Sequence, residues 1–419
     1  MRIAWFSPFP PERSGIAAYS AELLPLLDAV HAIDRVSELG AHDFVWKHRR
    51  DPYDLVVYQL GNAPCHDYMW AYLATYPGLV VLHDGRLHHA RARRLLKARR
   101  FDDYRREFAY DHPDAPPEVT EFAVEGLGGS IYYFWSMLRV VMRTARLVAV
   151  HNVRVAADLR NEYPETTIEA IRMGVPFDSD QSKATSEGDR AAVRRALGLP
   201  DGAIVFAAFG KVTPEKRIET ILRALEALVD AGRDAWLLVV GDADAHAPLA
   251  ADLARLGVRD RVRVTGHVPD AAIGAHLAAA DVCLCLRWPT AEETSAAWLR
   301  CLAAGRPTVL SDLAHLVDVP LSVALRVDLV DEDVSLVHAM ERLADDRTLR
   351  EDLGRAGHAY WEADHTLQAM ADDYLRLLPL AAARSAPAPT DLPAHFTEDH
   401  GGLAREIARR FGVSLDILE

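Results

Sequence analysis

Short apolar runs alternate with amphipathic helical stretches in two separate sets along this chain, and that alternation restricts the fold more than any other feature. A strand, a helix and a second strand of the same direction make a βαβ unit. The pattern therefore calls for mostly parallel sheets with helices on both faces. The first set of predicted strands is Arg2–Ser7, Asp54–Gly61, Leu79–Asp84, Leu147–Asn152 and Ile168–Gly174, with helices such as Ile16–Val30 and Val153–Tyr163 between them. The second is Ala203–Gly210, Ala235–Asp242, Val262–Val268, Asp281–Leu286 and Pro307–Asp312, with Arg217–Ala231 and Glu293–Ala304 as examples of the intervening helices. Between the sets, Phe177 to about Pro200 is polar, carries Asp-Ser-Asp-Gln-Ser-Lys and Ser-Glu-Gly-Asp, and reads as a linker leading into a short helix.

At 419 residues the chain exceeds one ordinary hydrophobic core, which agrees with two α/β units. The expected division is an N-terminal domain over 1–180, a linker over 181–200 and a C-terminal domain over 201–364. A helix over 365–384 follows, and then a tail over 385–419 made of the Pro-rich spacer Ser385–Pro393 and a small helix, Leu403–Phe411. No fixed-period repeat argues for a solenoid or propeller.

The net charge of −14 opposes binding to nucleic acid or an acidic bilayer, so any phosphate site must be local. Cys65, Cys283, Cys285 and Cys301 lack CxxC spacing and sit in apolar runs, which favours buried free thiols. Met1 leads straight into a strand-like run without the charged n-region and long apolar h-region of a signal peptide. No later stretch reaches membrane-spanning length, and the expected location is the cytoplasm.

In open parallel sheets ligands bind beyond the carboxyl ends of the strands, so the strand-to-helix loops are where chemistry is expected. The first loop, Ser7 to Gly15, places Ser14 as an N-cap and lets a ligand approach the backbone at Gly15; an ordinary Pro-rich turn explains it as well. The second, Leu82-His83-Asp84-Gly85, is followed by His88 and His89. A metal site would need these side chains to converge, yet His83 and Asp84 point to opposite sides of a strand, so a polar wall facing a cleft fits better. The third, Gly210-Lys-Val-Thr-Pro-Glu-Lys216-Arg217, gathers Lys211, Lys216 and Arg217 where a helix begins. Cations at the positive end of a helix dipole repel it unless an anion joins them, and a diphosphate is the natural anion.

The fourth loop, Gly266-His-Val-Pro-Asp270, has backbone groups able to bond a base edge and Asp270 as a cap. The fifth, Arg287 to Ser295, brings Glu292 and Glu293 to the opening of a helix, where acids suit the dipole. Asp242-Ala-Asp244 reads as a strand-end turn rather than a metal-binding pair. Neither Gly-x-Gly-x-x-Gly after the first strand nor Gly-x-x-x-x-Gly-Lys-Ser/Thr occurs, so dehydrogenase and P-loop readings lose their supports.

Taken together these stretches resemble the retaining GT-B glycosyltransferases of family 4. The N-terminal likeness lies in Phe6 to Ser20 with Gly15, Ile16 and Tyr19, in Gly61-Asn62, in Val81-Leu-His83-Asp84 and in Met173-Gly174-Val175-Pro176. The C-terminal likeness lies in Phe209-Gly210-Lys211-x-x-Pro214-Glu215-Lys216, Val239-Val-Gly241, Thr265-Gly266-His267-Val268 and Ala280-Asp281-Val282. The resemblance implies two Rossmann-like domains facing across a cleft, with the helix over 365–384 returning to the N-terminal domain. It also implies a nucleotide-diphosphate sugar as co-substrate, no metal or other cofactor, and transfer of a hexose with retention to an acceptor that the residues do not name. By the same likeness Lys211 and Lys216 would grip the diphosphate, with Gly210 and Arg217 beside them, and His83 would face the transferred sugar. Gly15, Ile16, Asn62, Asp84, His267, Val268, Arg287, Thr294 and Ser295 would complete the substrate surface.

The family's paired glutamates are present only in part. The first position falls on Glu292 or, if the loop shifts by one, on Glu293; the second falls on Arg300, which cannot accept the ribose O–H bonds a carboxylate would. Rival readings are a sugar-nucleotide epimerase or hydrolase on the same fold, a non-catalytic sugar-nucleotide binder, and a metal-dependent hydrolase using His83, Asp84 and His88.

Overall fold

A computed structural model of the chain describes residues 1–177, 187–243, 249–398 and 407–412. Its strands form two six-stranded sheets in which every pairing is parallel. The first contains β1 (Arg2–Phe6), β2 (Ala32–Val36), β3 (Leu55–Leu60), β4 (Leu79–Leu82), β5 (Leu147–Val150) and β6 (Ile168–Ala170), in the order β2-β1-β3-β4-β5-β6. The second contains β7 (Ile204–Phe209), β8 (Ala235–Val240), β9 (Val262–Val264), β10 (Val282–Cys285), β11 (Thr308–Ser311) and β12 (Ala324–Val327), in the order β12-β11-β10-β7-β8-β9.

The central strands read as unbroken apolar runs because helices cover both faces; all six residues of β3 and all four of β4 and β5 are buried. β2 and β12 escaped the sequence reading for the converse reason. Both are edge strands interrupted by charge, Asp34 and Arg35 in β2 and Arg326 in β12, so neither shows an unbroken apolar run. In each sheet the strand order reverses once, between β1 and β3 and between β7 and β10. A crevice for a ligand opens at such points.

The helix Leu367–Ala383 packs on the first sheet although it follows the second in sequence. Its Tyr374 hydroxyl meets Tyr19 Oη at 2.7 Å and accepts from Gln59 Nε2 at 3.1 Å, and Asp373 holds Arg172. The chain crosses itself at Gly174, where any Cβ would collide with the Thr366 carbonyl, so only glycine fits there. The expected strand Ile168–Gly174 accordingly stops at Ala170, and Met173 and Val175 are buried in the core this helix covers.

Within the expected linker 181–200, residues 181–186 lie outside the described residues, and Glu187–Ala196 is a helix belonging to the second domain. Its Arg194 is buried and pairs with Asp281 at 2.6 Å. The stretch 385–393, expected as a spacer, lies against the first domain: Asp391 pairs with Arg143 and Leu392 packs on its core, as does Phe396 just beyond. Asp244 of the Asp242-Ala-Asp244 turn and residues 403–406 of the expected helix Leu403–Phe411 lie outside the described residues. Among the described residues no helix is long and apolar enough to cross a membrane, and all four cysteines are free.

Candidate functional site

The strand-order reversal of the second sheet has a cavity at its carboxyl edge, lined among others by Phe209 at the end of β7, Lys216, Arg287 after β10, Glu293, Ser295 and His315. Gly210 holds φ +95° there, and a Cβ on it would run into Lys216 Nζ, so the glycine makes room for the ammonium. Lys216 donates to the Phe209 carbonyl. Burial, with Arg287 nearby, lowers its ammonium to about 8.

Arg287 is anchored at both ends. Its N–H donates to Ser311 Oγ at 2.9 Å and its Nε lies 2.5 Å from Glu293 Oε1. The other oxygen of Glu293 accepts from Thr290 Oγ1 and from the Ala291 N–H, both at 3.0 Å. Of the two candidate glutamates it is therefore Glu293 that stands in the cavity wall. Glu292, at φ +64°, turns to the first domain and meets Arg86 at 2.9 Å. Neither carboxylate opens a helix as expected: the helix Ala296–Ala303 begins three residues later, with Ser295 accepting from the Trp298 N–H. Its N-terminal end, at Ser295 to Trp298, lines the cavity and adds the positive pole of its dipole to Lys216 and Arg287.

The first domain closes over this edge. The Gly85 N–H donates to the Ala291 carbonyl at 2.7 Å, and a Cβ on Gly85 would lie 2.9 Å from Glu292 Oε2. Thr294 Oγ1 donates to the His151 carbonyl, Asn152 Nδ2 to the His315 carbonyl, and Tyr133 Oη to Glu215 at 2.6 Å. Asp84 lies beside this seam, its Oδ2 accepting the Asn62 N–H at 2.8 Å. Burial first, then the Glu293 carboxylate, push its carboxyl up to about 7.

His83 Nε2 lies 2.7 Å from Gln59 Oε1, and its ring meets Tyr19 edge-on at 4.8 Å and His151 at 5.1 Å. Burial and the neighbouring imidazoles hold it neutral, well below the usual histidine range. Gly15 begins the helix Gly15–Asp28 with Ser14 as its cap, as expected, and a Cβ on it would meet open space; Ile16 packs over Gly61.

Several other expected residues lie outside this cavity. Arg217 is turned from the cavity to Glu332, which its Nε meets at 2.9 and 3.0 Å. Lys211 is exposed outside the cavity lining, and so is His267, while Val268 packs on the core beneath. Asn62 spends its side chain within the protein, Nδ2 on the Arg86 carbonyl and Oδ1 on the Ala90 N–H. Arg300 pairs across the domains with Glu22 rather than lining the cavity. Asp270 is the first helical residue, with Pro269 at the cap. His88 faces the Trp135 carbonyl and Tyr104 Oη, away from His83, which removes the third ligand of the metal reading. Among the described residues no group of three His, Cys, Asp or Glu is placed to hold a metal.

Arg86, Tyr133, Glu22 and His315 were not singled out in the sequence. Each acts through a partner on the other domain, a pairing no local spacing encodes.

The chain superposes on sucrose-phosphate synthase from Thermosynechococcus elongatus with a TM-score of 0.64 at 16% identity, covering 91% of this chain and 98% of that one. Anabaena HepE in complex with UDP-glucose gives 0.62 at 15%, covering 91% and 100%. The fold is GT-B. Within this GT-B chain, residues 203–346 match the family model described as glycosyl transferases group 1, the stretch that carries Lys216, Arg287 and Glu293. Relatives in sequence include the alpha-D-kanosaminyltransferase of Streptomyces kanamyceticus, 28% identical over 56% of this chain and 60% of its own length. The 2-deoxystreptamine glucosyltransferase of the same organism is 33% identical over 34% and 36%. The match thus spans less than two thirds of either relative.

Proposed function

We propose that this protein is a glycosyltransferase that moves a sugar from a nucleotide diphosphate to a hydroxyl-bearing acceptor. The observation that carries the reading is the convergence of Lys216, Arg287 and a helix N-terminus on one cavity, at the strand-order reversal of the second sheet and beneath the first domain. Cleavage of the sugar–phosphate bond places negative charge on the leaving diphosphate and oxocarbenium character on the anomeric carbon. Fixed positive groups at the leaving oxygens in a cleft closed to water stabilise both changes.

Lys216 and Arg287 supply that charge from side chains, so the proposed reaction needs no divalent ion. The Gly85–Ala291 and Thr294–His151 contacts shield the reacting sugar from hydrolysis. The names of the relatives support sugar transfer, and the HepE complex supports a nucleotide sugar as donor. Retention of anomeric configuration is part of the proposal and is read from the product by proton NMR. The test is a thermal-shift screen against sugar nucleotides followed by turnover with and without EDTA. A ligand at one hundred times its Kd stabilises by about 2.7 kcal/mol. Stabilisation with transfer unaffected by EDTA is expected. Binding without turnover would favour a silent binder, conversion without an acceptor an epimerase or hydrolase, and loss with EDTA a metalloenzyme.

A further inference from the structure

Asp84 follows β4 at the seam between the domains, and the second domain covers it. Gly85 is fastened to Ala291, and Glu292 fills the space where a Gly85 side chain would stand. Behind Asp84, its Oδ2 lies 3.2 Å from the point a Gly61 Cβ would occupy, beside Ile16 Cδ1 and the ring of His66, which burial keeps neutral at about 4.

The charges facing it come from both domains. Glu293 and Arg287 face it from the loop after β10, and Glu292 stands beyond Gly85. Arg86 is committed to Glu292 and Arg287 to Glu293. Asp84 itself is held by Asn62, and among the described residues no cation pairs with it. It is thus a half-buried acid between carboxylates whose arginines are already spent.

A diphosphate at Lys216 and Arg287 would add negative charge beside this seam and draw on Arg287, the cation that faces Asp84. Both changes disfavour a second anion. We propose that Asp84 serves the donor complex as a neutral hydrogen-bond donor, a carboxyl that takes up one proton as the diphosphate arrives and offers its O–H to the sugar nucleotide. The inference rests on the sugar-nucleotide reading above. It agrees with a carboxyl already poised at about 7.

The test is calorimetric titration of the full-length protein with UDP-glucose, dTDP-glucose, GDP-mannose and ADP-glucose at pH 7.5, in phosphate and in Tris. The two buffers differ in ionisation enthalpy, so the difference in heat counts protons. For whichever probe binds, the wild type takes up a large fraction of one proton per site, and its Kd rises by up to about tenfold per pH unit above 7.5. Asp84→Asn keeps an acceptor for the Asn62 N–H and can still donate. It is expected to bind within about threefold of wild type at pH 7, with uptake reduced to the share of Lys216 and a Kd that rises less steeply with pH than that of the wild type. A protonated-carboxyl band in the infrared difference spectrum of the wild-type complex, lost in the variant, is the second readout. Equal uptake in the two proteins, or none in the wild type, overturns the assignment to Asp84 while leaving sugar-nucleotide binding intact. Heat from none of the four probes overturns both readings.

Discussion

Arg287 Nε lies 2.5 Å from Glu293 Oε1, and the same glutamate is clamped from its other oxygen by Thr290 and the Ala291 N–H. The guanidinium is thereby fixed at the cavity wall before any ligand arrives, which is the preorganisation that electrostatic catalysis requires.

Glu293→Gln keeps the size of the side chain and removes the ion pair. Donor Kd is expected to hold or tighten, since a negative charge near the diphosphate is lost, while kcat falls by about tenfold or more as Arg287 loses its anchor. Glu292→Gln, which touches Arg86 instead, should leave kcat within a few-fold of wild type. Steady-state release of nucleoside diphosphate measures both, and the reverse ranking would assign the site to Glu292.

Lys216→Ala removes the buried ammonium over Gly210. We expect kcat to fall by about two to three decades, the usual cost of one such contact. The fold should survive, because a buried cation is itself expensive to keep. Turnover together with a circular-dichroism melt checks this, and unchanged turnover would contradict the proposed function.

Arg217→Ala separates structure from catalysis. Glu332 is 9% exposed and would be left without its guanidinium, costing about 1–3 kcal/mol of stability. Turnover per folded molecule is expected to remain near wild type, as read by urea unfolding beside the same assay.

Arg300 and Glu22 join the domains. Arg300→Glu or Glu22→Arg alone places like charges together and should open the cleft, seen as a larger radius of gyration in solution scattering. The double exchange should restore compaction, with coupling of about 1 kcal/mol for a partly exposed pair. Equal expansion in all three variants would show that the pair does not hold the domains.

Acid should destabilise the protein. Burial lowers His66, His112 and His151 to about 4 and His88 to about 3. Below pH 6.5 the unfolded chain therefore binds protons that the folded one refuses, and stability is lost as pH falls toward 4. Asp84, raised to about 7, and Asp111, raised to about 6, act in the opposite sense, since the folded state holds their protons down to about pH 4. Four histidines outweigh two acids, so the melting midpoint at pH 5 should lie below that at pH 7, and His88→Gln should reduce the difference.

The site was legible where its residues lie close in sequence. The loop from Gly210 to Lys216 was readable because a glycine and a lysine after a buried strand are a local signal, and Ser14 as a cap was readable for the same reason. Arg217 belonged to that local signal too, yet its guanidinium is claimed by Glu332, more than a hundred residues away. Glu292 and Glu293 are adjacent, and only the turn made by Thr290 and the left-handed backbone at Glu292 decides which of them faces the cavity.

Two parallel sheets with their central strands and covering helices were determined by the sequence alone, because burial on both faces writes itself into local composition. The edge strands β2 and β12, the contacts by which Leu367–Ala383 docks on the first sheet and the pairing of Arg300 with Glu22 were decided only by tertiary structure. A partly exposed edge strand such as β2 carries no apolar run, and an ion pair or the contacts of a docked helix depend on partners distant in the chain, so neither leaves a periodic mark for a sequence to show.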